Sequence, residues 1–428
     1  MSPVSLLEAP PRIAPTTAER PLKIVVFPLS WVLAHVGRTV EIGKTLRARG
    51  HEVVFAGADA DHPMSRLNHA RLNGFRTVKV MEPHWPAAWA RFERYGMAAG
   101  IFDFLTHQRW APLDAIVEDI IRVIKEEKPD LIVGDGSVGV TTAGHITGVP
   151  AAGVLNSYNT FFFRPGSMYR QVIEWGNRLV WSRIRDRVFQ KYGMTQPDAI
   201  ELLCNAPLLS PDLAEFHHPH GHYPNWHAIG PIVSSPPFPM PKWYDELNDG
   251  TTNIYISMGS TGLLDGLLRR TYDTLGRAPY RFVVTTGGQV SAETEAMAPK
   301  NFRFANYAPG SEIMAHCKAV VYQGGNGTMY QALGAGLPML ALPSHLEQQV
   351  CSKIAVDKGF GIQGNARRIT GPELLRNIET LLRDSKYRAN AWRYRESVRH
   401  SSATDRAADL LLAHARGGVE QFAMAAAV

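Results

Sequence analysis

Cysteine is scarce in this chain: Cys204, Cys317 and Cys351 are the only three in 428 residues. They lie far apart, are odd in number and form no CxxC pair, which argues against a disulfide framework or a cysteine zinc site and fits a reducing cytoplasm. No stretch of about eighteen apolar residues occurs, so no membrane-spanning helix is expected. The N-terminal MSPVSLLEAPPRIAPTTAERP has prolines where a signal peptide needs its apolar centre, and residues 1–21 are expected to form a loose tail. Low-complexity tracts are missing. The cationic surplus (net charge +6, pI near 9.1) is not gathered into Lys/Arg blocks, which makes nucleic acid a poor partner. An anionic substrate or an anionic membrane surface would use the same charge.

The chain has an ordinary globular composition, 45% apolar and 20% charged, and a length beyond one typical core, so two domains are expected. Residues 22–27 (LKIVVF) form a continuous apolar run suited to a parallel strand buried on both faces. A loop (PLSWVLAHVG), a helix over 38–49 stopped by Gly50, and a strand at 52–56 complete a first βαβ unit. That loop lacks the GxGxxG needed to wrap a pyrophosphate, which argues against a nicotinamide or flavin cofactor. It does carry His35, just before the helix and at the sheet edge where sites in α/β folds collect. A second strand (PDLIVGD) ends in Asp135, which on its own reads as a helix N-cap.

The most constraining stretch is 306–349, NYAPGSEIMAHCKAVVYQGGNGTMYQALGAGLPMLALPSHLEQQ. An apolar strand (319–322) stops at Gln323-Gly324-Gly325-Asn326-Gly327-Thr328, and helix formers follow until Gly336 and Pro338. Strand, glycine turn and helix together aim unpaired N–H groups at whatever anion approaches the sheet edge. A further strand leads to Glu347 and Gln348, a carboxylate and an amide near the same edge.

The order aromatic-x-Pro, x-Gly-Gly-x-Gly-Thr, Gly-x-Pro, Pro-x-x-x-Glu-Gln resembles the donor signature of family 1 nucleotide-sugar glycosyltransferases. The resemblance is strong from about 250 to 365 and thin before that. It implies an α/β protein with two Rossmann-like domains facing across a cleft, the GT-B fold. It also implies an inverting transfer of sugar from a nucleoside diphosphate sugar, with UDP and dTDP both open, and no metal or other cofactor. His35, in an Ala-His-Val context close to the family's Gly-His-Val, is then the general base, and Asp135 its charge partner. On this reading Asp135→Asn slows turnover and leaves folding intact. Tyr307 would stack on the base. Gln323 and the N–H groups from Gly325 through Asn326 and Gly327 to Thr328 would hold the diphosphate, helped by Ser260 after strand 253–258. Gln331 would face the ribose, and Glu347 and Gln348 the sugar hydroxyls. Gln323, Gln331 and Gly310 stand where the family commonly has His, Glu and Gln.

Residues 82–110 and 156–181 are rich in large aromatics. Core packing accounts for many of them, but Trp85, Trp89, Phe102, Phe161 and Phe162 could wall a pocket for a hydrophobic small-molecule acceptor, and the second stretch could touch a membrane surface. His217, His218, His220, His222 and His227 fall among Pro, Gly and Asn and read as a surface loop. The expected organisation is a tail (1–21), an acceptor domain (22–232), an extended Pro-rich linker (233–250), a donor domain (251–400), and a C-terminal helix returning to the first domain with a frayed end (401–428). A monomer or dimer would serve. Two rival readings keep the fold: a nucleotide-sugar 2-epimerase, and a non-catalytic nucleotide-binding homologue.

Overall fold

The computed structural model describes residues 20–62, 65–82, 113–137, 139–156, 188–195, 206–216, 225–234, 236–259, 262–344 and 346–417. Two parallel sheets dominate them. The first holds β1 (Lys23–Pro28), β2 (Glu52–Gly57), β3 (Arg76–Lys79), β4 (Leu131–Asp135), β5 (Ala151–Val154), β6 (Leu208–Ser210) and β7 (Trp226–Ala228) in the order β3-β2-β1-β4-β5-β6-β7. The second holds β8 (Thr252–Ser257), β9 (Tyr280–Thr285), β10 (Phe302–Ala305), β11 (Cys317–Tyr322), β12 (Met339–Ala341) and β13 (Gly361–Gln363) in the order β10-β9-β8-β11-β12-β13. The protein is α/β, and each sheet is wound outward in both directions from a central pair.

β1 shows why its run of apolar residues is unbroken. Ile24 and Val26 enter one core, with Val36 and Val40 of helix α1 (Leu33–Ala48). Val25 and Phe27 enter the other, with Ile116 and Ile120 of helix α2 (Leu113–Glu127) and Ala143 of helix α3 (Val140–Thr147). Both faces are covered, so alternation would leave polar groups unsolvated. In the second half, helix α4 (Asn326–Gly334) follows β11, and helix α5 (Leu346–Asp357) follows β12. Helix α6 (Gly371–Arg383) is capped as its Thr-x-x-Glu sequence predicts, with the Glu373 N–H donating to Thr370 Oγ1 at 3.4 Å.

The last helix, α7 (Ala403–Ala415), belongs to the first core: Ala403, Ala407 and Leu411 pack with α1 residues. Arg49 ties the two helices by donating to Asp409 (2.5 Å) and Asp405 (2.8 Å). The stretch expected as an extended linker is extended only in its first part. It ends in a 3-10 turn, Tyr244–Asn248, because Leu247 is buried in the second core and Asp249 pairs with Arg281 at 2.5 Å. Among the described residues no helix is long and apolar enough to cross a membrane.

Candidate active site

In each sheet the winding reverses between two neighbouring strands, and outside their C-terminal ends lies a crevice with no crossover to cover it. In the first sheet those strands are β1 and β4, paired with Pro28 opposite Asp135. In the second they are β8 and β11, paired with Ser257 opposite Tyr322. His35 follows β1 and Asp135 ends β4. The glycine turn follows β11, and Gly259 follows β8. Residues distant in the chain meet at each crevice for this topological reason, His35 with Asp135 at the first and Gly259 with Gln323 at the second.

The His35 ring lies with Nδ1 2.6 Å from Asp135 Oδ1, the imidazole 26% exposed and the carboxylate fully buried. With Nδ1–H donating to the carboxylate, Nε2 is the atom left to accept a proton. The sequence placed His35 in a loop before the helix. It sits instead in the first turn of α1, which starts at Leu33 because nothing between Leu33 and Arg38 breaks a helix. Asp135 is not an N-cap either: α3 begins after Gly139, with no side chain capping it. Gly136 lets the strand turn away under the ring. Its φ is +66°, and a Cβ there would lie 3.0 Å from His35 Cε1.

Arg38 has no counterpart in the sequence reading. One turn after His35, it donates from Nε to Asp135 Oδ2 (2.5 Å) and from Nη2 to Asp135 Oδ1. Burial alone would push the Asp135 carboxyl up. The charges of Arg38 and His35 and their hydrogen bonds outweigh it and hold the group below the usual carboxylate range. Glu82, on the same sheet edge, goes the other way. Burial pushes it up to about 7, although the Ser30 hydroxyl and the N–H groups of Ser30 and Ala58 pull it back.

At the second crevice α4 has Gly325 as N-cap and no side-chain cap, so its first-turn N–H groups have no acceptor from the helix. Gly324, at φ +93°, would place a Cβ 2.9 Å from the Gln348 carbonyl, so a larger residue would push the loop apart. Gln323 packs against Gly259, and its Oε1 is buried with no partner among the described residues. Gln348, itself buried, accepts at Oε1 from the Ser344 N–H and hydroxyl, both at 3.0 Å. Gln331 donates to the Ser234 carbonyl at 3.2 Å. Tyr307 already carries Phe238 stacked at 5.1 Å and the Arg66 guanidinium 5.3 Å from its ring centre. Neither neighbour was singled out from the sequence. Asn326 spends its side chain on the other half of the molecule, donating to Asp212 Oδ1 at 2.5 Å.

The two crevices face each other closely: a Cβ on Gly327 would sit 3.9 Å from the Ala34 methyl, one residue before His35. An imidazole on one wall and an anion-binding helix terminus on the other can, between them, take a proton from a nucleophile and steady a phosphate leaving group. Residues 269–410 match the family described as erythromycin biosynthesis protein CIII-like, C-terminal domain. Over 414 residues the chain is 24% identical to a PGL/p-HBAD biosynthesis rhamnosyltransferase of Mycobacterium bovis, covering 90% of this chain and 86% of that one. This chain is a glycosyltransferase of the GT-B fold, similar to the family 1, natural-product type. The fold likeness extends over the whole glycosyltransferase. The structure of spinosyn forosaminyltransferase SpnP superposes with a TM-score of 0.70 over 92% of this chain and 99% of its own, at 18% identity. Spinosyn rhamnosyltransferase SpnG complexed with thymidine diphosphate does so with a TM-score of 0.64 over 91% and 100%, at 19% identity.

Trp85, Trp89, Phe102, Phe161, Phe162 and Ser260 lie outside the described residues of the glycosyltransferase, as do the side chain of Glu347 and all of the histidine-rich loop except His227.

Proposed function

We propose that this glycosyltransferase is inverting and moves a sugar from a nucleoside diphosphate sugar to a hydroxyl of a hydrophobic small molecule, with His35 as general base and Asp135 as its partner. The observation that carries this reading is the 2.6 Å contact between His35 and the buried Asp135, on the wall facing the glycine turn. His35 Nε2 takes the acceptor proton while Asp135 steadies the imidazolium that forms, the division of labour known from hydrolase triads. The acceptor oxygen attacks the anomeric carbon from the face opposite the diphosphate, the bond to the diphosphate oxygen breaks, and configuration inverts. On the donor wall the uncapped N–H groups of Gly325 to Thr328, with Gln323, hold the diphosphate. They do so without a metal, because a helix terminus supplies the positive potential.

A thymidine diphosphate donor is favoured by SpnG, whose structure carries that nucleotide; a uridine donor is the alternative. A cytoplasmic enzyme acting on a bulky apolar acceptor, soluble or presented at a membrane surface, suits the aromatic composition of 82–110 and 156–181. The experiment is a panel of nucleotide sugars scored by thermal unfolding, since a ligand at a hundred times its Kd adds about 2.7 kcal/mol. Stabilisation by no nucleotide sugar would refute the donor assignment. Release of an epimerised sugar without any acceptor would favour a 2-epimerase. Transfer is expected to persist in chelator, and its loss there, with recovery on adding magnesium, would refute the metal-free reading.

A further inference from the structure

Asp135 does not end the polar chain that starts at His35. Arg38, only 9% exposed, spends its guanidinium on three acceptors: both oxygens of Asp135 and, from Nη1 at 2.5 Å, Asn156 Oδ1. Asn156 in turn donates to Asp212 Oδ1 at 3.2 Å. Asp212, 1% exposed, accepts from the Ser210 hydroxyl at 3.0 Å. It also accepts from two groups of the other half of the molecule, Asn326 Nδ2 at 2.5 Å and the Tyr330 hydroxyl at 3.3 Å. Tyr330 is held by the Leu213 N–H at 3.0 Å, and Asn326 by the Cys351 thiol, which donates to its Oδ1 at 2.7 Å. An unbroken line of hydrogen-bonded side chains thus runs from the base to the first residue of the donor helix: His35, Asp135, Arg38, Asn156, Asp212, Asn326.

We propose that Arg38 is a positioning residue of the general base, held from its far side by Asn156 and Asp212 and through them by the donor turn. The inference rests on His35 being the base. Two observations support it. The first is geometric: a planar fork that grips both oxygens of one carboxylate fixes the plane of that carboxylate, and with it the direction in which Oδ1 meets His35 Nδ1. The second is electrostatic. His35 Nδ1 and Arg38 Nη2 lie 3.2 Å apart because both converge on Asp135 Oδ1. Among the described residues, Asp135 from β4 and Arg38 from α1 are the charged groups within hydrogen-bond distance of the ring, and Asp212 stands beyond Asn156. An unshielded Asp135 would bind a proton onto His35 strongly and block it as a base. Arg38 shares that carboxylate, and its charge offsets part of the negative charge the ring meets.

The test needs no substrate. The titration of the His35 ring would be followed by NMR on histidine-labelled full-length protein, its signal identified by its loss in His35→Gln. In Arg38→Gln the imidazolium becomes the cation nearest Asp135, and the titration midpoint is expected to rise by a unit or more, a tenfold or greater gain in proton affinity. In Arg38→Lys, which keeps the charge, the midpoint should stay within about 0.3 unit of wild type. An unchanged midpoint in Arg38→Gln, or an equal rise in both variants, overturns the proposal. If Arg38→Gln does not fold, the Lys variant decides alone: a rise of a unit or more there refutes the charge role. The outcome is separable from the proposed function, whose failure would appear as continued transfer by a variant lacking His35.

Discussion

The two walls of the cleft are built by opposite means. On the first, a carboxylate with no exposure is gripped by an imidazole and a guanidinium until both of its oxygens are in use. On the second, the turn after β11 is kept bare, with glycines at 324, 325 and 327 and a helix start with no side-chain cap. The contrast follows from what each wall has to do. A buried charge must bring its own partners or it loses its ionisation. A site for a diphosphate must leave its donors unspent, because any group that satisfied them would have to be displaced by the ligand.

The walls are joined through Asp212 and Asn326, but His35 stands at the far end of that line, so removing its imidazole should spare the donor wall. The largest effect is expected from His35→Ala, which should lower turnover by about 10²- to 10⁴-fold, the usual worth of a general base. Nucleoside diphosphate affinity by calorimetry should be unchanged. Affinity falling along with turnover would mean that the walls are coupled more tightly than their separate sheets imply.

Asp135→Asn comes next, and here the structure changes the expectation. Read from sequence as a group acting through charge and orientation, Asp135 could be replaced without cost to folding. With Arg38 buried against it, the amide leaves a guanidinium without its counter-charge, and a loss of about 3–5 kcal/mol is expected along with the loss of turnover. Because Asp135 is held below the usual carboxylate range, its own stabilising contribution is present above its unfolded pKa and fades as pH falls through the folded one. Denaturant titrations of both proteins at neutral and acid pH would show the gap narrowing in acid. A constant gap would mean that the carboxylate charge contributes nothing.

On the bare wall, Gln323→Ala should weaken nucleoside diphosphate binding by about 1–3 kcal/mol, the cost of a lost hydrogen bond to a charged group. Gln323→His should bind, with an affinity that varies more between about pH 5.5 and 7.5 than in wild type. Wild-type affinity in the Ala variant would place the diphosphate elsewhere.

The smallest effect concerns Glu82, which shares an edge with Asp135 but faces a hydroxyl and N–H donors in place of a guanidinium. A carboxyl raised from 4.5 to about 7 binds its proton more tightly in the fold, so its contribution to stability declines as pH rises across that window and stays lost above it. Allowing for its residual exposure, about 1–2 kcal/mol is expected. Glu82→Gln should flatten stability between pH 5 and 8, and an unchanged slope would show that Glu82 is not the group responsible.

Much of this was readable in one dimension because it is local. Unbroken apolar runs at 22–27 and 319–322 require strands covered on both faces, the glycine turn after the second requires an open helix start, and Thr370-x-x-Glu373 requires a helix cap. Each depends on neighbours within a few residues. His35 and Asp135 carried little meaning as an isolated histidine and aspartate, and gained it through the resemblance. Arg38 was hidden, since an arginine on an amphipathic helix is usually a solvated one. What buried it was the parallel register that sets Pro28 beside Asp135, one helical turn below it. Asp212, Asn156 and Arg66 were illegible for the same reason. Apart from Ser210, the partners cited for Asp212 and Asn156 lie from 56 to 118 positions away, and the partner of Arg66 lies across the cleft. Pairings over such distances are set by strand order and by how two sheets face each other, and those depend on the packing of the whole chain.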